Sequence, residues 1–400
     1  MNNVLNEIDK CVQCGFCLPT CPTYLITQNE KSSPRGRIQL LKFYENKNLD
    51  FSKEIVRELF FCLGCFACES ACPSGVKYET ILNHYRQKSF SQKKFSLKNF
   101  FLNFVLLNQI RKKIFFKFIF LFQELFSGTE KHSIKFLELL QLFPKVSNGK
   151  NFFSTHQQYE NENIVGFPIG CVNDICFTEV NLTTINLLQK NNYGVCVSQN
   201  NCCGALHFHN GDIKNAKKLA KKNVEYFDGK KYKYIVSTNA GCGAFMKQYG
   251  EVFNETKFES FSEKVRDISE VLVKFDFSKL KPKFKNLRIS YQDACHLRHS
   301  QKIFLEPRKI LKSLPNIDFV ELNDPNICCG SAGIYNATNF DDSMKLLELK
   351  IENIKNTSAE IIISENSGCI NQLRYGIKKN NSQTEILHIS EFLDKYFEYE

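Results

Sequence analysis

The chain has 400 residues, of which 43% are hydrophobic and 24% charged, with a formal net charge of +11. That suffices for two or three domains with their own cores and excludes a disordered or low-complexity chain. Eighteen cysteines exceed what buried small hydrophobes account for. The opening residues MNNVLNEIDK carry two acids and no apolar run, so a secretory leader is not expected. In a reducing cytoplasm such thiols read as metal ligands or redox groups rather than disulfides.

Residues 11–22 read CVQCGFCLPTCP and residues 62–73 read CLGCFACESACP. Both are C-x2-C-x2-C-x3-C-P. Three thiolates two residues apart can wrap three irons of a cubane, while the fourth, followed by proline, turns away to the other cluster. The expected ligands are Cys11, Cys14, Cys17 and Cys72 for one 4Fe–4S cluster, and Cys62, Cys65, Cys68 and Cys21 for the second. Zinc sites pair short two-cysteine knuckles instead of runs of four ending in proline. The gap from Cys21 to Cys62 holds SPRGRIQLLKFYENK (33–47), with Pro34 suited to a first helical turn. It is longer than in a compact bacterial ferredoxin, so the module reads as helical. Arg35 and Arg37 there suit cluster charge balance, partner docking or a plain helix start.

Between Glu79 and Glu124 there is no acid but there are nine bases: Arg86, Lys88, Lys93, Lys94, Lys98, Arg111, Lys112, Lys113 and Lys117. Residues 86–160 hold no cysteine and form a connector. Its stretch 100–126, FFLNFVLLNQIRKKIFFKFIFLFQELF, has a longest unbroken apolar run of five residues, 118–122, too short to span a bilayer. Bases interleaved with Phe and Leu fit a helix on a membrane surface or against a partner. An amphipathic helix docked on neighbouring domains fits equally well.

The remainder repeats itself. Cys171, Cys202, Cys203 and Cys242 are followed at offsets of 124, 126, 126 and 127 residues by Cys295, Cys328, Cys329 and Cys369. DISEVLVKF (267–275) echoes HISEFLDKYF (388–397), and NAGC (239–242) echoes NSGC (366–369). A fixed period signals a duplicated unit, with 276–286 as the linker. Short buried strands are expected at 163–170, 193–198, 233–238, 286–292, 317–322 and 359–365, and helices at 211–227 and 339–356. Such alternation predicts a parallel sheet, with most quartet cysteines just past strand ends, where α/β ligand sites gather. The fold class is therefore α/β with an N-terminal helical domain. In order, a two-cluster α-helical ferredoxin (1–98) and a basic apolar connector (99–160) precede two cysteine-rich α/β domains (161–280 and 281–400).

The segments CVQCGFCLPTCPTY, SPRGRIQLLK and CLGCFACESACPSGVKY, with CCGALHFH and CHLRH…CCGSAGIY…NSGC, resemble the iron–sulfur subunit of glycolate oxidase. The two halves are also similar to the cysteine-rich CCG domains of heterodisulfide reductase. The resemblance covers nearly the whole chain and implies an electron-transfer role rather than hydride chemistry. An FAD-containing subunit would oxidise glycolate or D-lactate, and electrons would pass through the clusters to a quinone or other acceptor. It implies a cytoplasmic protein, peripheral on the inner face of the inner membrane if it meets one. The absence of a G-x-G-x-x-G fits that division, and no catalytic residue is assigned to this chain. No recognised nucleic-acid motif accompanies the positive charge, so no nucleic-acid partner is expected.

Each half then offers a candidate additional metal or redox site: Cys171, Cys202, Cys203 and Cys242, and Cys295, Cys328, Cys329 and Cys369. Gly204 and Gly330 are expected to let the backbone approach whatever is bound. In the heterodisulfide reductase relatives a C-x-x-C supplies a fifth thiol. Here Cys242 is followed by GAF and Cys369 by INQ, which counts against a substrate-reducing site. A further iron–sulfur cluster, zinc and an empty site stay open, as does a heterodisulfide-reductase-like activity of these domains. Cys176 and Cys196 read as core, and His207 and His209 as hydrogen-bonding residues. His296, Arg298 and His299 read as structural more than as tuners or proton carriers.

Overall fold

A computed structural model describes residues 2–92, 97–125, 142–144, 163–198, 202–229 and 232–399. The remainder of the connector, 126–141 and 145–160, lies outside the described residues. Eight helices come first: α1 (Asn2–Asp9), α2 (Pro22–Thr27), α3 (Pro34–Glu45), α4 (Lys53–Phe61), α5 (Ala67–Ser70), α6 (Tyr78–Gln92), α7 (Leu97–Leu106) and α8 (Gln109–Leu125). The expected start at Pro34 is present. Pro34 occupies the first turn of α3, and the Ser33 side chain accepts from Gly36 N at 2.9 Å, which satisfies one of the open amides of that turn. Ile38, Leu41, Ile55, Leu59, Ile81, Leu82 and Tyr85 from α3, α4 and α6 form this domain's core.

The connector stretch is two helices. Asn108 breaks the run and caps α8, its Oδ1 accepting from Ile110 N (2.9 Å) and Arg111 N (3.1 Å). Two of the nine bases counted above are not surface charges: Arg86 and Lys112 are buried.

Two four-stranded parallel sheets follow. The first has the order β2-β1-β3-β4, from β1 (Ile164–Phe167), β2 (Gly194–Val197), β3 (Tyr234–Ser237) and β4 (Val265–Asp267). The second repeats it as β7-β6-β8-β9, from β6 (Leu287–Tyr291), β7 (Ile317–Phe319), β8 (Ile361–Ile363) and β9 (Glu385–Leu387). The expected helices fall at Ile213–Tyr226 and Phe340–Lys355. The fourth strand of each sheet was not expected. Each leads straight into a helix through a capping box at the echoed sequences. Asp267 caps Ile268–Leu272 with Glu270, and His388 caps Ile389–Tyr396 with Glu391. The stretch expected to link the halves contains a strand, β5 (Leu280–Pro282), antiparallel to the C-terminal β10 (Phe397–Tyr399).

The halves share one core. Val165, Phe167, Leu187, Leu188 and Val236 of the first pack with Ile289, Tyr291, Ile361, Ile363, Phe392 and Leu393 of the second. Polar bonds cross the junction too. His388 Nε2–H donates to Thr238 O at 3.0 Å, Ala240 N to Glu365 O at 2.9 Å, and Thr184 Oγ1 to Ser390 Oγ at 2.8 Å.

Candidate metal centres

The expected ligands sit on loops and at the starts of helices, none of them within a strand. In the ferredoxin module Cys11, Cys14, Cys17 and Cys72 line one small cleft with Arg35, Ile38 and Pro73. Cys21 lies near Cys65 and Cys68, which also lie near Cys62. Cys68 lines that first cleft too, and Cys17 lies near Cys21, so the eight thiols lie close together across the two runs. Gly64 N donates to Cys62 Sγ at 3.4 Å. The donor set is thiol throughout, as an iron–sulfur cluster requires.

The two groups differ in exposure. Cys14 is exposed, and beside it Val12 and Phe16 are 69% and 66% exposed. Cys65 and Cys68 are buried, and burial followed by neighbouring thiols pushes both well above the usual thiol range. Thiols held protonated in this way would release protons on ligating a metal. Buried cations stand by. Arg37 donates to Glu58 O (2.8 Å) and Thr23 Oγ1 (3.0 Å); burial opposes its charge, but Cys62, Tyr78, Cys21 and Glu58 hold it protonated. Arg37 Nη2 also lies 3.8 Å from the buried Glu58 carboxylate, while Arg35 is paired with Glu30 and donates to Gln13 O at 3.0 Å.

The two CCG quartets also assemble. Cys171, Cys202 and Cys242 follow β1, β2 and β3, and Cys295, Cys328 and Cys369 follow β6, β7 and β8. Thiol–thiol contacts run from Cys171 to Cys202, to Cys203 and to Cys242. They run likewise from Cys295 to Cys328, to Cys329 and to Cys369. Among the described residues no three His, Cys, Asp or Glu side chains close to single-ion distances, in the ferredoxin module or here.

Gly204 and Gly330 also meet a packing demand, and the Gly204 amide donates to Cys202 Sγ at 3.4 Å. Both have positive φ, +90° and +88°. A Cβ there would meet Ala216 O at 2.9 Å and Ser343 O at 2.6 Å respectively, the backbone of the following long helix. These glycines let the CCG loop pack closely on its helix.

Around the quartets the halves diverge. Cys295 and Cys328 lie beside Cys65 of the ferredoxin. The adjoining CHLRH segment clamps that loop: His296 Nε2–H donates to Gly64 O at 2.9 Å, and His299 Nδ1 bonds Ser70 Oγ at 2.9 Å. The His296 ring stacks on Phe66 (centroids 5.6 Å apart) and meets His209 edge-on at 5.2 Å. Arg298 pairs instead with Asp293 at 2.8 Å. Lys350, buried, donates to Asp324 O at 2.9 Å; burial lowers it to about 8, while Cys329 and Cys328 favour its charge.

The first quartet is covered by the connector. Leu106 and Leu107 pack on Cys171 and Cys202. Lys112 of α8 lies buried near Cys171, Asp174 and Cys202, lowered by burial against their pull. His207 Nε2–H donates to Asn103 Oδ1 at 3.1 Å, and Asn215 Nδ2 to the same atom at 3.3 Å. Cys176 packs on the core as expected, yet Cys171 also raises it, so it borders the first quartet. Cys196 stays in β2, accepting from Tyr232 at 3.2 Å.

Sequence reasoning missed Arg86. Buried, it donates to Leu59 O (3.1 and 2.9 Å), Cys62 O (2.6 Å) and His209 O (3.0 Å). It thereby ties the second cysteine run to the first CCG loop. Only its place among bases in an apolar segment hinted at this.

Fold and thiol sets together define an iron–sulfur ferredoxin-type domain fused to a duplicated cysteine-rich unit. Family profiles agree: the 4Fe–4S dicluster domain matches residues 7–76, and the CCG cysteine-rich domain matches 165–247 and 289–374. The chain is 33% identical to the probable glycolate oxidase iron–sulfur subunit of Bacillus subtilis, over 97% of this chain and 93% of that one. It is 26% identical to the glycolate oxidase iron–sulfur subunit of Escherichia coli, over 98% and 94%. Lactate utilization protein A of Oceanobacillus iheyensis is 27% identical over 58% of this chain and 98% of its own. The chain belongs to the glycolate oxidase iron–sulfur subunit family.

Proposed function

We propose that this chain is the electron-transfer subunit of a flavin-dependent 2-hydroxy-acid dehydrogenase, acting on glycolate or D-lactate, with a quinone or other acceptor downstream. An FAD-containing partner performs the hydride chemistry. Cys11, Cys14, Cys17 and Cys72 would hold one 4Fe–4S cluster, and Cys62, Cys65, Cys68 and Cys21 the other. Such clusters, when bound, supply one-electron carriers. The domain limits 1–98, 99–160, 161–280 and 281–400 accompany this reading, as does a place in the cytoplasm, peripheral on the inner membrane face.

One observation carries the proposal: a ferredoxin with the exposed Cys14 in one proposed thiol group and the buried Cys21, Cys65 and Cys68 in the other, with Cys65 near a further quartet. Val12 and Phe16 make the loop around Cys14 a place where a redox partner can approach. At the other end Cys65 neighbours Cys295 and Cys328. The residues between do specific work. Arg37 and Arg86 oppose the negative charge of clustered thiolates. Gly64 N–H points at Cys62 Sγ, His296 fixes that loop, and burial of Leu63 and Phe66 keeps water out.

A second reading, a reductase with its own redox site in the CCG domains, draws support from the assembled quartets. The absence of a C-x-x-C at Cys242 or Cys369 counts against it. Anaerobic copurification with iron counting and EPR separates the two. The electron-transfer reading expects a flavoprotein in the complex and cluster reduction by a 2-hydroxy acid. A flavin-free, partnerless protein with disulfide reductase activity alone would overturn it.

A further inference from the structure

The connector carries a face that the rest of the described chain leaves uncovered. α8 buries Lys112, Phe116 and Ile119. On its other side Ile110, Ile114, Phe118, Leu121 and Leu125 are between 49% and 76% exposed. At ~100° per residue these five fall within an arc of roughly 80°, opposite the buried three. Phe100 and Phe104 of α7, ring centroids 6.0 Å apart, extend the stripe. Of the thirteen exposed large hydrophobics among the described residues, seven lie here, so this is a patch and not scatter.

Its edges are basic. Arg111, Lys113 and Lys117 are exposed, and the Arg111 guanidinium lies 4.7 Å over the Phe104 ring. On the helical wheel Lys113 and Lys117 flank one side of the stripe and Arg111 the other. No acid occurs in the sequence from 80 to 123. No helix among the described residues is long and apolar enough to cross a membrane, so such a helix can lie on a bilayer but not span it.

We propose that this face of α7 and α8 docks on a bilayer surface containing anionic lipid. The apolar stripe enters the acyl boundary while Arg111, Lys113 and Lys117 meet headgroup phosphates. Charge complementarity selects the occupant: apolar residues rimmed on both sides by cations, in a stretch without a carboxylate from 80 to 123, match an anionic headgroup layer. The inner face, held by Lys112, Phe116 and Ile119, keeps the helix formed before it binds, so docking carries no folding cost. The proposal rests on the peripheral-membrane reading above and names its surface and its lipid.

The test uses the full chain, purified anaerobically with its iron, and sedimentation with phosphatidylcholine vesicles with or without phosphatidylglycerol. Binding is expected only with phosphatidylglycerol and weakens as salt rises. The double variant Ile114→Asp, Phe118→Asp loses roughly tenfold or more in affinity. Lys113→Glu with Lys117→Glu abolishes the phosphatidylglycerol preference. Unchanged iron content and visible absorbance show that each variant is folded. A wild-type chain left in the supernatant with both vesicles, or variants that sediment like wild type, overturns the proposal. So does competition in which the flavoprotein partner occludes this face, which would make it a protein contact. Cluster reduction by hydroxy acid, followed on the same preparations in vesicle-free buffer, reports separately on electron transfer.

Discussion

The two CCG halves share topology, cysteine order and loop geometry, yet they have different neighbours. The second quartet faces the ferredoxin, with Cys295 and Cys328 beside Cys65 and His296 bonded to Gly64 O. The first is roofed by Leu106 and Leu107 and approached by Lys112. The second half draws a buried lysine from its own helix, at Lys350. The equivalent position of the first half is Asn223, which bonds Cys202 O instead, and the connector supplies the cation there. A duplicated motif thus acquires two different surroundings from what packs on it. On the function proposed above, the second would stand in line with the electron path and the first would be closed off from it.

The largest expected effect on this arrangement comes from Arg86, which holds the ferredoxin loop to the first half. Arg86→Ala leaves Leu59 O, Cys62 O and His209 O without their charged donor. It should cost about 3 kcal/mol, read as a lowered melting temperature of the iron-loaded protein. A melting temperature within error of wild type would show that the junction does not depend on it.

The paired helix caps provide a smaller test, because equivalent positions respond to pH in opposite senses. Burial raises Asp267 from 3.8 to about 7, against help from Ser269 and Lys247 and with Glu270 and Glu365 nearby. The folded form holds its proton where the unfolded one has lost it. Its contribution is complete below about pH 4 and declines as pH rises to about 7. Burial lowers His388 from 6.5 to about 3. The unfolded form takes up a proton first, so its contribution is complete above about pH 6.5 and declines as pH falls towards 3. Denaturant unfolding across pH should show Asp267→Asn removing the first slope and His388→Asn the second. Identical pH profiles for both variants and wild type would rule out the opposed caps.

The smallest effect concerns the roof. Asn103→Ala removes the acceptor shared by His207 and Asn215 and should cost about 1 kcal/mol. It should speed reaction of the first-quartet thiols with an alkylating reagent in the iron-free protein and leave the second quartet unaffected. Equal acceleration at both quartets would mean that the connector does not guard the first.

Much of this was legible before the structure. The ferredoxin spacing pointed to two thiol-rich loops that lie close together, and the repeat offsets located both quartets past strand ends. Six strands matched because their apolar runs were bounded by polar turns. β4 and β9 escaped notice because three residues before a helix cap show no period of their own. β5 and β10 pair across more than a hundred residues, which no local pattern records. Arg86 and Lys112 read as surface charge because a count of bases carries no information about burial. The divergence of the quartets was illegible for the same reason: it depends on which surface the ferredoxin and connector cover.

The central claim is the inequality of the quartets. It is tested most directly by hydroxy-acid-driven reduction of an acceptor dye, measured anaerobically in the complex of this chain with its flavoprotein. Cys328→Ser and Cys202→Ser are compared at matched ferredoxin iron, verified by EPR. Cys328→Ser should lower the rate by about a hundredfold or more, equivalent to about 2.7 kcal/mol, while Cys202→Ser stays within about threefold of wild type, under about 1 kcal/mol. Equal losses in the two variants, or a greater loss from Cys202→Ser, would contradict the account.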